Sequence, residues 1–432
     1  MTIRISRHSK RTLPACALML LVLFVAVTVN LALDGKEPLV RKVSSIPVRS
    51  VRKAVLEDVC ENGLVLLNAI GTLGDEPDSL RLWDLHAGKL AFQVPMDAWI
   101  KEASALNKAG LPSEGGPFRC LNGEKRVIAM QGMYLVLIDI GRQTELTRVL
   151  ASKDLNDPAS PLDHVMWHVT QRTMDVNPKD GLIAAAFNRG LKPRVFVYTA
   201  DLLRVVNWWE LPRYMEDIRW SPDGQKLAVL YSGGFDAKGE FVGASPDFKL
   251  PSIPDVEIFD ASSGKSLLRF FSGDLEARVA FSSDGSRLYT ISLTKYNRGT
   301  WKDRAIRLFS AADGTLVRTL EVPPYGVRNN FSLSPNGRLI VADASTPVSK
   351  FFLREMIADT FSTEKVARFV ILDAETGNLL FEHHEKAPGR AWGVFPMRFG
   401  FSPDGKQLLV DVNHAGFGDN AQVDVFSVES LY

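Results

Sequence analysis

One short pattern recurs along the whole chain: an apolar strand, a tight turn, and a second apolar strand. Its clearest copy is Phe399–Val410, read FGFSPDGKQLLV, in which Ser402–Gly405 forms the turn. Proline presets φ early in such a turn, aspartate can bond its own backbone, and glycine supplies positive φ. Because turns of this kind join antiparallel strands, each copy predicts a β-hairpin.

Six further turns follow the same pattern with decreasing fidelity. They are Trp220–Gly224, Phe281–Gly285, Leu333–Gly337, Val176–Gly181, Val59–Gly63 and Arg119–Gly123. Each hairpin is followed by a third strand that ends in an acidic or small polar residue, as in Val256–Gly264, and usually by a fourth strand. The chain therefore contains seven groups of four strands, except that the last group lacks its fourth.

Repeats of about 40–60 residues with four strands each predict a β-propeller, in which neighbouring sheets cover one another's apolar faces. The segment Val40–Val48 precedes the first complete group and has no other obvious place. We expect it to supply the missing strand of the last group. That pairing would close the ring and remove an open sheet edge.

The turns resemble those of WD-repeat proteins and of related bacterial propellers with Ser-Pro-Asp-Gly turns, over roughly Val40–Tyr432. Leu82–Leu85 contains the only literal Trp-Asp pair, and the Gly-His dipeptide of eukaryotic WD repeats is absent, so the resemblance is to the looser bacterial type. It implies an all-β, seven-bladed β-propeller of four-stranded blades. It implies little about function, because propellers serve as scaffolds, ligand binders and some enzymes.

The first forty residues differ from the repeats. A basic flank is followed by the apolar run Leu13–Leu33, and about 20 apolar residues in a helix span about 30 Å of hydrocarbon. Because a basic flank stays in the cytoplasm, we predict a cytoplasmic tail (1–12), a signal-anchor transmembrane helix (13–33), a linker (34–39) and a periplasmic propeller (40–432) on the bacterial cytoplasmic membrane. A cleaved signal peptide is the alternative, although Asn30–Leu33 is a poor cleavage site.

Charge and cysteine content exclude some classes of protein. The formal net charge of +1 indicates no bias toward nucleic acid, and we expect no nucleic-acid partner. Cys60 and Cys120 hold the same position in adjacent repeats, at the serine of the Ser-Pro-Asp-Gly turn, when the repeats are aligned on the glycines of their turns. Equivalent positions in neighbouring blades should lie farther apart than the roughly 7 Å Cα limit for a disulfide. We therefore expect two small buried side chains and no bridge.

The two ends of the predicted ring differ in loop length. The turns between first and second strands and between third and fourth strands are short, and we call their end the tight-turn face. The second-to-third loops and the connections between blades form the opposite end, the long-loop face. It carries the insertions Met96–Gly116, Ser152–Thr170, Tyr231–Asp255, Leu293–Arg304, Ala344–Ala367 and Asn413–Ala421. Insertions in repeat folds collect on the binding face, so this face is predicted to bind the partner.

Two insertions have helical patterns. One helix is predicted from Asp97 to Ala109 and includes Trp99, and a second begins near Pro347 and continues to about Phe361. The second helix has an apolar face formed by Phe352, Leu353, Met356 and Ile357. This face either packs on the ring as a lid or meets a protein partner or the membrane surface.

Other candidates lie at the channel rim and on an outer strand. Arg278 and Arg398 open inner strands near the rim, where they could hold a carboxylate or phosphate, or could be solvated without a ligand. Of Trp208 and Trp209, neighbours on an outermost strand, one is predicted to be buried and the other to be exposed.

Catalytic signatures are weak. His164 and His168 have a metal-like spacing, and Asp343, Asp411 and Asp419 come near one face as a possible acid/base set. Phosphate-loop, Gly-x-Ser-x-Gly, Cys-x-x-Cys and His-Glu-x-x-His motifs are absent. We predict a non-catalytic scaffold without cofactor that binds a protein or peptide through the long-loop face, its oligomeric state open. The alternatives are a propeller-based hydrolase or lyase with its site at the channel mouth, and a glycan binder using exposed aromatics.

Overall fold

Seven antiparallel four-stranded sheets form the blades of a ring in the computed structural model of the chain. In each blade the first strand contacts the first strand of at least one neighbouring blade and is therefore innermost. The structure describes residues 40–48, 51–71, 79–95, 117–121, 126–131, 134–142, 144–150, 173–187, 193–212, 215–231, 254–272, 278–297, 300–322, 325–327, 330–344, 346–347, 365–387, 398–412 and 421–432.

The strands follow the chain in blade order. The first is β1 (Arg41–Val48), and blade 1 contains β2 (Val51–Val59), β3 (Leu64–Gly71), β4 (Ser79–Asp84) and β5 (Lys89–Pro95). Blade 2 contains β6 (Phe118–Cys120), β7 (Arg126–Gln131), β8 (Tyr134–Asp139) and β9 (Thr144–Leu150). Blade 3 contains β10 (Met174–Val176), β11 (Ile183–Phe187), β12 (Arg194–Tyr198) and β13 (Val205–Glu210).

The second half of the ring repeats this order. Blade 4 contains β14 (Met215–Trp220), β15 (Lys226–Tyr231), β16 (Val256–Asp260) and β17 (Ser266–Phe270). Blade 5 contains β18 (Val279–Phe281), β19 (Arg287–Asn297), β20 (Thr300–Ser310) and β21 (Leu316–Leu320), and the short β22 (Tyr325–Gly326) follows it. Blade 6 contains β23 (Phe331–Leu333), β24 (Leu339–Asp343), β26 (Lys365–Asp373) and β27 (Leu379–Ala387), with the short β25 (Thr346–Pro347) between them. Blade 7 contains β28 (Arg398–Phe401), β29 (Gln407–Val412) and β30 (Ala421–Ser427), and the chain ends in a 3-10 turn, Glu429–Leu431.

Blade 7 is completed by β1, which pairs antiparallel with β30. The pairing buries the carboxylate of Asp424, which lies 2.7 Å from Lys42 Nζ and accepts a 2.7 Å hydrogen bond from Ser45 Oγ. The prediction that Val40–Val48 closes the ring is therefore confirmed. Val40 itself is buried in the core between blades 6 and 7.

The hydrophobic core lies between blades. One cluster, for example, combines Tyr289 and Ile306 of blade 5 with Phe331 and Ile340 of blade 6, and corresponding clusters lie at the other junctions. Each fully buried large apolar side chain contributes about 1.5–3 kcal/mol to stability. Because every sheet contributes to the clusters on both of its sides, a missing blade would expose two core surfaces.

The tight turns explain why the hairpins recur. In blade 4 the Ser221 hydroxyl donates to Asp223 Oδ1 at 2.5 Å, and the Gly224 N–H donates to the Ser221 carbonyl at 2.9 Å. Gly224 has φ of 70°, a conformation that glycine adopts without steric cost. Blades 5 and 7 repeat the serine–aspartate hydrogen bond. The predicted link between this pattern and the hairpin is confirmed.

The long-loop face differs from prediction in two places. Leu293–Arg304 was expected to be a loop insertion, but β19 and β20 continue as a paired hairpin to Asn297 and Thr300. Pro347 was expected near the start of a helix, but it pairs with Tyr325 in the short sheet of β22 and β25. Leu293–Arg304 contains only three apolar or aromatic residues, Leu293, Tyr296 and Trp301, so its sequence lacked the apolar signal of a buried strand.

The other predicted insertions lie mostly outside the described residues, as do the predicted helices. Within the described ranges, no helix has the length and apolar character needed to cross a membrane. The predicted transmembrane segment, 13–33, falls outside those ranges.

Candidate binding site

Two of the predicted binding residues can be placed. Arg278 directly precedes β18 of blade 5 and Arg398 opens β28 of blade 7, and both are half-buried. The other predicted binding residues lie outside the described part of the chain: Trp99, Phe352, Leu353, Met356 and Ile357.

Arg398 links the last blade to the first. Its Nη1 lies 3.1 Å from Glu57 Oε2 and donates to the Leu56 carbonyl at 3.2 Å. The Leu56 N–H in turn donates to Oδ2 of Asp411 in blade 7 at 3.1 Å. The Arg398 side chain keeps 21% of its surface exposed. Arg398 therefore links two blades and remains partly exposed to solvent.

Arg278 makes the corresponding contact between blades 5 and 6. Its Nη1 donates to Asn330 Oδ1 at 3.3 Å. Both rim arginines thus bridge neighbouring blades, but each bridges a different junction. The structure does not bring Arg278 and Arg398 together as one pair of donors to a single ligand.

A further set of side chains, here called the second tier, is defined by the turn between the first and second strands of each blade. Each member lies two residues before the serine position of that turn, which is Ser221 in blade 4. In blades 1 to 4 this position alternates between acid and base, and in blades 5 to 7 it holds small residues. The seven residues are Asp58, Arg119, Asp175, Arg219, Ala280, Ser332 and Gly400. Sequence reasoning missed this alternation because the turn pattern placed the serine position of blade 2 at Cys120, whereas the backbone hydrogen bonds place it at Leu121.

The two acidic residues of this tier each tie one blade to the next, Asp58 joining blade 1 to blade 2 and Asp175 joining blade 3 to blade 4. Asp58 Oδ2 accepts the Cys120 N–H at 2.9 Å, and Asp175 Oδ2 accepts the Trp220 N–H at 2.8 Å. Between blades 4 and 5, Asp217 Oδ2 accepts the Val279 N–H at 3.0 Å. Each carboxylate therefore satisfies a buried backbone donor of the neighbouring sheet, which would be costly to leave unpaired.

Burial and neighbouring charges act in opposite directions on the pKa values of this tier. Burial raises the pKa of Asp58 and of Asp175, and the nearby arginines, Arg119 and Arg219, oppose that rise. Burial alone would lower the pKa of Arg219, but the carboxylates of Asp217, at 3.2 Å, and Asp175, at 3.9 Å, raise it overall. In blades 1 to 4 the acidic and basic side chains of this tier therefore partly offset one another's charge.

The weak catalytic candidates are only partly placed. Asp343 and Asp411 are fully buried, and Asp411 Oδ2 holds the backbone of blade 1. Asp419, His164 and His168 lie outside the described residues. Among the residues that the structure places, no three His, Cys, Asp or Glu side chains are grouped as metal ligands.

The two turn cysteines form a disulfide between blades 1 and 2, with Cα atoms 5.4 Å apart. The prediction of no bridge was wrong. The Leu121 N–H donates to Arg126 O just as the Ser221 N–H donates to Lys226 O, so Leu121, not Cys120, occupies the serine position. Cys120 lies one residue earlier, at the end of β6, with its side chain in the core beside Cys60.

The tryptophan pair of blade 3 behaves as predicted. Trp209 is buried, whereas Trp208 is 48% exposed on the outermost strand. The Arg194 guanidinium lies 5.3 Å from the centre of the Trp208 ring, and Phe196 stacks on it at 6.3 Å. This exposed aromatic group lies on the outer edge of the ring, away from the channel rim.

No known protein family matches the chain, and no curated protein is similar to it in sequence. Among solved structures, 1150 chains match, which identifies a widespread fold. One is a chain in the crystal structure of the mitotic checkpoint complex, with a TM-score of 0.52 and 12% identity, covering 91% of this chain and 96% of that one. The chain therefore has a WD-repeat-like propeller fold. The narrower likeness to bacterial propellers with Ser-Pro-Asp-Gly turns stays a prediction.

Proposed function

We propose that the chain is a non-catalytic interaction scaffold, tethered to the bacterial cytoplasmic membrane by 13–33, that binds a protein or peptide through its long-loop face. The observation that carries this proposal is the difference between the two ends of the ring. The tight-turn face repeats one compact turn, whereas the opposite face carries the β19–β20 hairpin, with 11 residues in each strand, and the added β22–β25 sheet. Loops positioned by a rigid ring are a common arrangement for recognition.

The two arginines, Arg278 and Arg398, favour a partner that presents an acidic group to them. Arg278 and Arg398 are held by blade-to-blade contacts, so their guanidinium groups lose little freedom when they bind a carboxylate or phosphate. Arg278→Gln should weaken partner binding by roughly tenfold or more if it meets such a group. Unchanged affinity would show that Arg278 is not part of the binding site, which would then be formed by the loops of the long-loop face.

The disulfide supports placement of the propeller outside the cytoplasm. Cys60 and Cys120 are bonded, and such bonds persist in oxidising compartments and are rare in the cytosol. This argument is independent of the apolar segment at 13–33. A similar propeller in the mitotic checkpoint complex supports, by analogy, a role in an assembly.

The proposal is tested by crosslinking the full chain in native membranes and identifying the captured partner. The test variant combines Phe352→Asp with Met356→Asp, on the predicted apolar helix face. The matched control, Ala312→Asp, places a charge at an exposed position of the tight-turn face. We expect the test variant to lose the partner at an unchanged melting temperature and the control to retain it.

Two outcomes would contradict the proposal. A lower melting temperature of the test variant with the partner still bound would show that this helix face is a lid. Loss of the partner only in the Ala312→Asp variant would move the binding surface to the tight-turn face.

A further inference from the structure

The position of β1 in blade 7 shows at which end of the ring the chain enters the propeller. Arg41, the first residue of β1, is paired with Ser427, and Ser427 is also paired with Gln407. Gln407 directly follows the tight turn of blade 7. The opposite end of β1, Val48, pairs with Ala421, next to the second-to-third loop. The chain therefore joins the ring at the tight-turn face and runs toward the long-loop face.

The surroundings of this point fix it firmly. Val40 is 4% exposed and packs with Val428 and Phe426 in the core between blades 6 and 7. The C-terminal residue, Tyr432, lies at the same end, where its hydroxyl donates to the Gly405 carbonyl at 3.0 Å. Both ends of the propeller are thus held at the tight-turn face.

The linker predicted between the anchor and the ring is short compared with the height of a blade. Its six residues, 34–39, reach at most about 20 Å when fully extended, since a residue spans about 3.3–3.6 Å. The eight residues of β1 cover about 26 Å at about 3.3 Å per residue. If the long-loop face lay toward the membrane, the linker would have to pass the full height of a blade to reach the bilayer. It is too short to do so.

We infer that the tight-turn face lies toward the membrane and that the long-loop face points away from it. This inference rests on the proposed membrane anchor. It narrows the class of partner, because a ligand of the long-loop face must approach from the aqueous phase. The apolar face predicted on the helix after Pro347 would then pack on the ring or meet a protein, and lipid is excluded as its partner.

The charges of the tight-turn face are those of a surface that is held near the membrane by the tether and does not itself bind lipid headgroups. Hydroxyl hydrogen bonds within the turns lower the pKa of Asp260 and of Asp284 to about 2, so both carboxylates stay ionised. Lys406, on the same face, is paired with Glu429 at 2.8 Å. Aspartates distributed among the turns oppose adsorption to anionic headgroups. The orientation is therefore attributed to the tether alone.

The orientation can be tested by energy transfer in liposomes. The full chain carrying Cys16→Ser is given one dye-labelled cysteine, either Ser283→Cys on the tight-turn face or Thr300→Cys at the tip of the β19–β20 hairpin. These two positions differ in height by about 36 Å, the length of the eleven-residue β19. With acceptor dye on the lipid headgroups, we expect stronger transfer from Ser283→Cys.

The outcomes separate the orientation from the anchor. Failure of the protein to sediment with liposomes would overturn the proposed anchor and the orientation together. Sedimentation with equal transfer, or with stronger transfer from Thr300→Cys, would overturn the orientation alone. Inserting about 20 Gly/Ser residues within 34–39 should reduce the difference between the two positions, because a flexible tether relaxes the orientation.

Discussion

Two junctions hold the first blade in the ring, and they do so by different means. Between blades 7 and 1, closure depends on a strand borrowed from the start of the chain and on the buried Asp424. Between blades 1 and 2, a covalent bond joins Cys60 to Cys120. The first junction depends on many weak contacts that can dissociate together, and the second keeps two strands adjacent even in the unfolded chain.

The largest expected effect is on the borrowed strand. Deleting 40–48 removes β1, exposes the edge of β30 and leaves Asp424 without Lys42 and Ser45. We expect a large fall in melting temperature and a tendency to aggregate, because an unpaired edge strand recruits other chains. Thermal unfolding followed by circular dichroism, with light scattering, measures both. An unchanged melting temperature would show that blade 7 is stable with three strands.

Loss of the disulfide should have the second largest effect on stability. It closes a loop of 60 residues, for which the chain-entropy relation gives a stabilisation of about 4 kcal/mol. Cys60→Ser combined with Cys120→Ser should lower the denaturant midpoint accordingly, and reduction of the unaltered protein should lower it by a similar amount. Cys16→Ser is the matched control and should leave the midpoint unchanged. Equal midpoints for reduced and oxidised protein would contradict a stabilising role.

A smaller effect is expected from a single contact of the borrowed strand. Lys42→Ala leaves the fully buried Asp424 with Ser45 as its remaining described side-chain partner, and loss of a partner to a buried charge costs about 1–3 kcal/mol. Val43→Ala, at a neighbouring exposed position of the same strand, is the control and should change stability by less than about 0.5 kcal/mol. Chemical denaturation of both variants compares them. Equal losses would show that backbone pairing alone closes blade 7.

The smallest effect is a dependence on acid that involves neither junction. The Ser282 hydroxyl and the Ser286 N–H lower the pKa of Asp284 from 3.8 to about 2. A depressed pKa means that stabilisation by Asp284 is present above pH 3.8 and is lost as the pH falls toward 2. Asp284→Asn should therefore show a slightly smaller loss of melting temperature between pH 5 and pH 2 than the unaltered protein.

Blade 6 provides a natural control for that variant. Asn336 occupies the same turn position and accepts the Ser334 hydroxyl at 2.8 Å, so asparagine fits the turn. If the two proteins lose stability in parallel on acidification, the turn carboxylate does not contribute to acid sensitivity.

The contrast between the two junctions also shows what the sequence could predict. Closure by Val40–Val48 was recognisable because a missing fourth strand and a spare β-segment are both visible in the pattern. The disulfide was missed because alignment on Gly123 displaced Cys120 by one residue, and a shift of one residue in a strand changes which way a side chain points. Side-chain direction at one position thus depends on a register that the backbone hydrogen bonds reveal.

The placement of the two described arginines in the fold was predictable, but their contacts were not. The turn pattern predicted that Arg278 and Arg398 lie where inner strands begin, and Arg278 directly precedes β18 while Arg398 opens β28. The contact between Arg398 and Glu57 joins residues at opposite ends of the sequence and depends on ring closure. Leu293–Arg304 of the β19–β20 hairpin was taken for a loop because this stretch is mostly polar and lacks the apolar signal of a buried strand.

Closure by β1 also sets the order in which the protein can be completed during synthesis. Lys42 and Asp424 are 382 residues apart, so at about 5–20 residues per second ribosomes need roughly 20–80 s to make the partner of the first strand. Throughout that interval β1 has no strand to pair with, and blades 1 to 6 must assemble around an open seam. Until the last blade emerges, β1 is therefore an unpaired strand that is open to pairing with other chains.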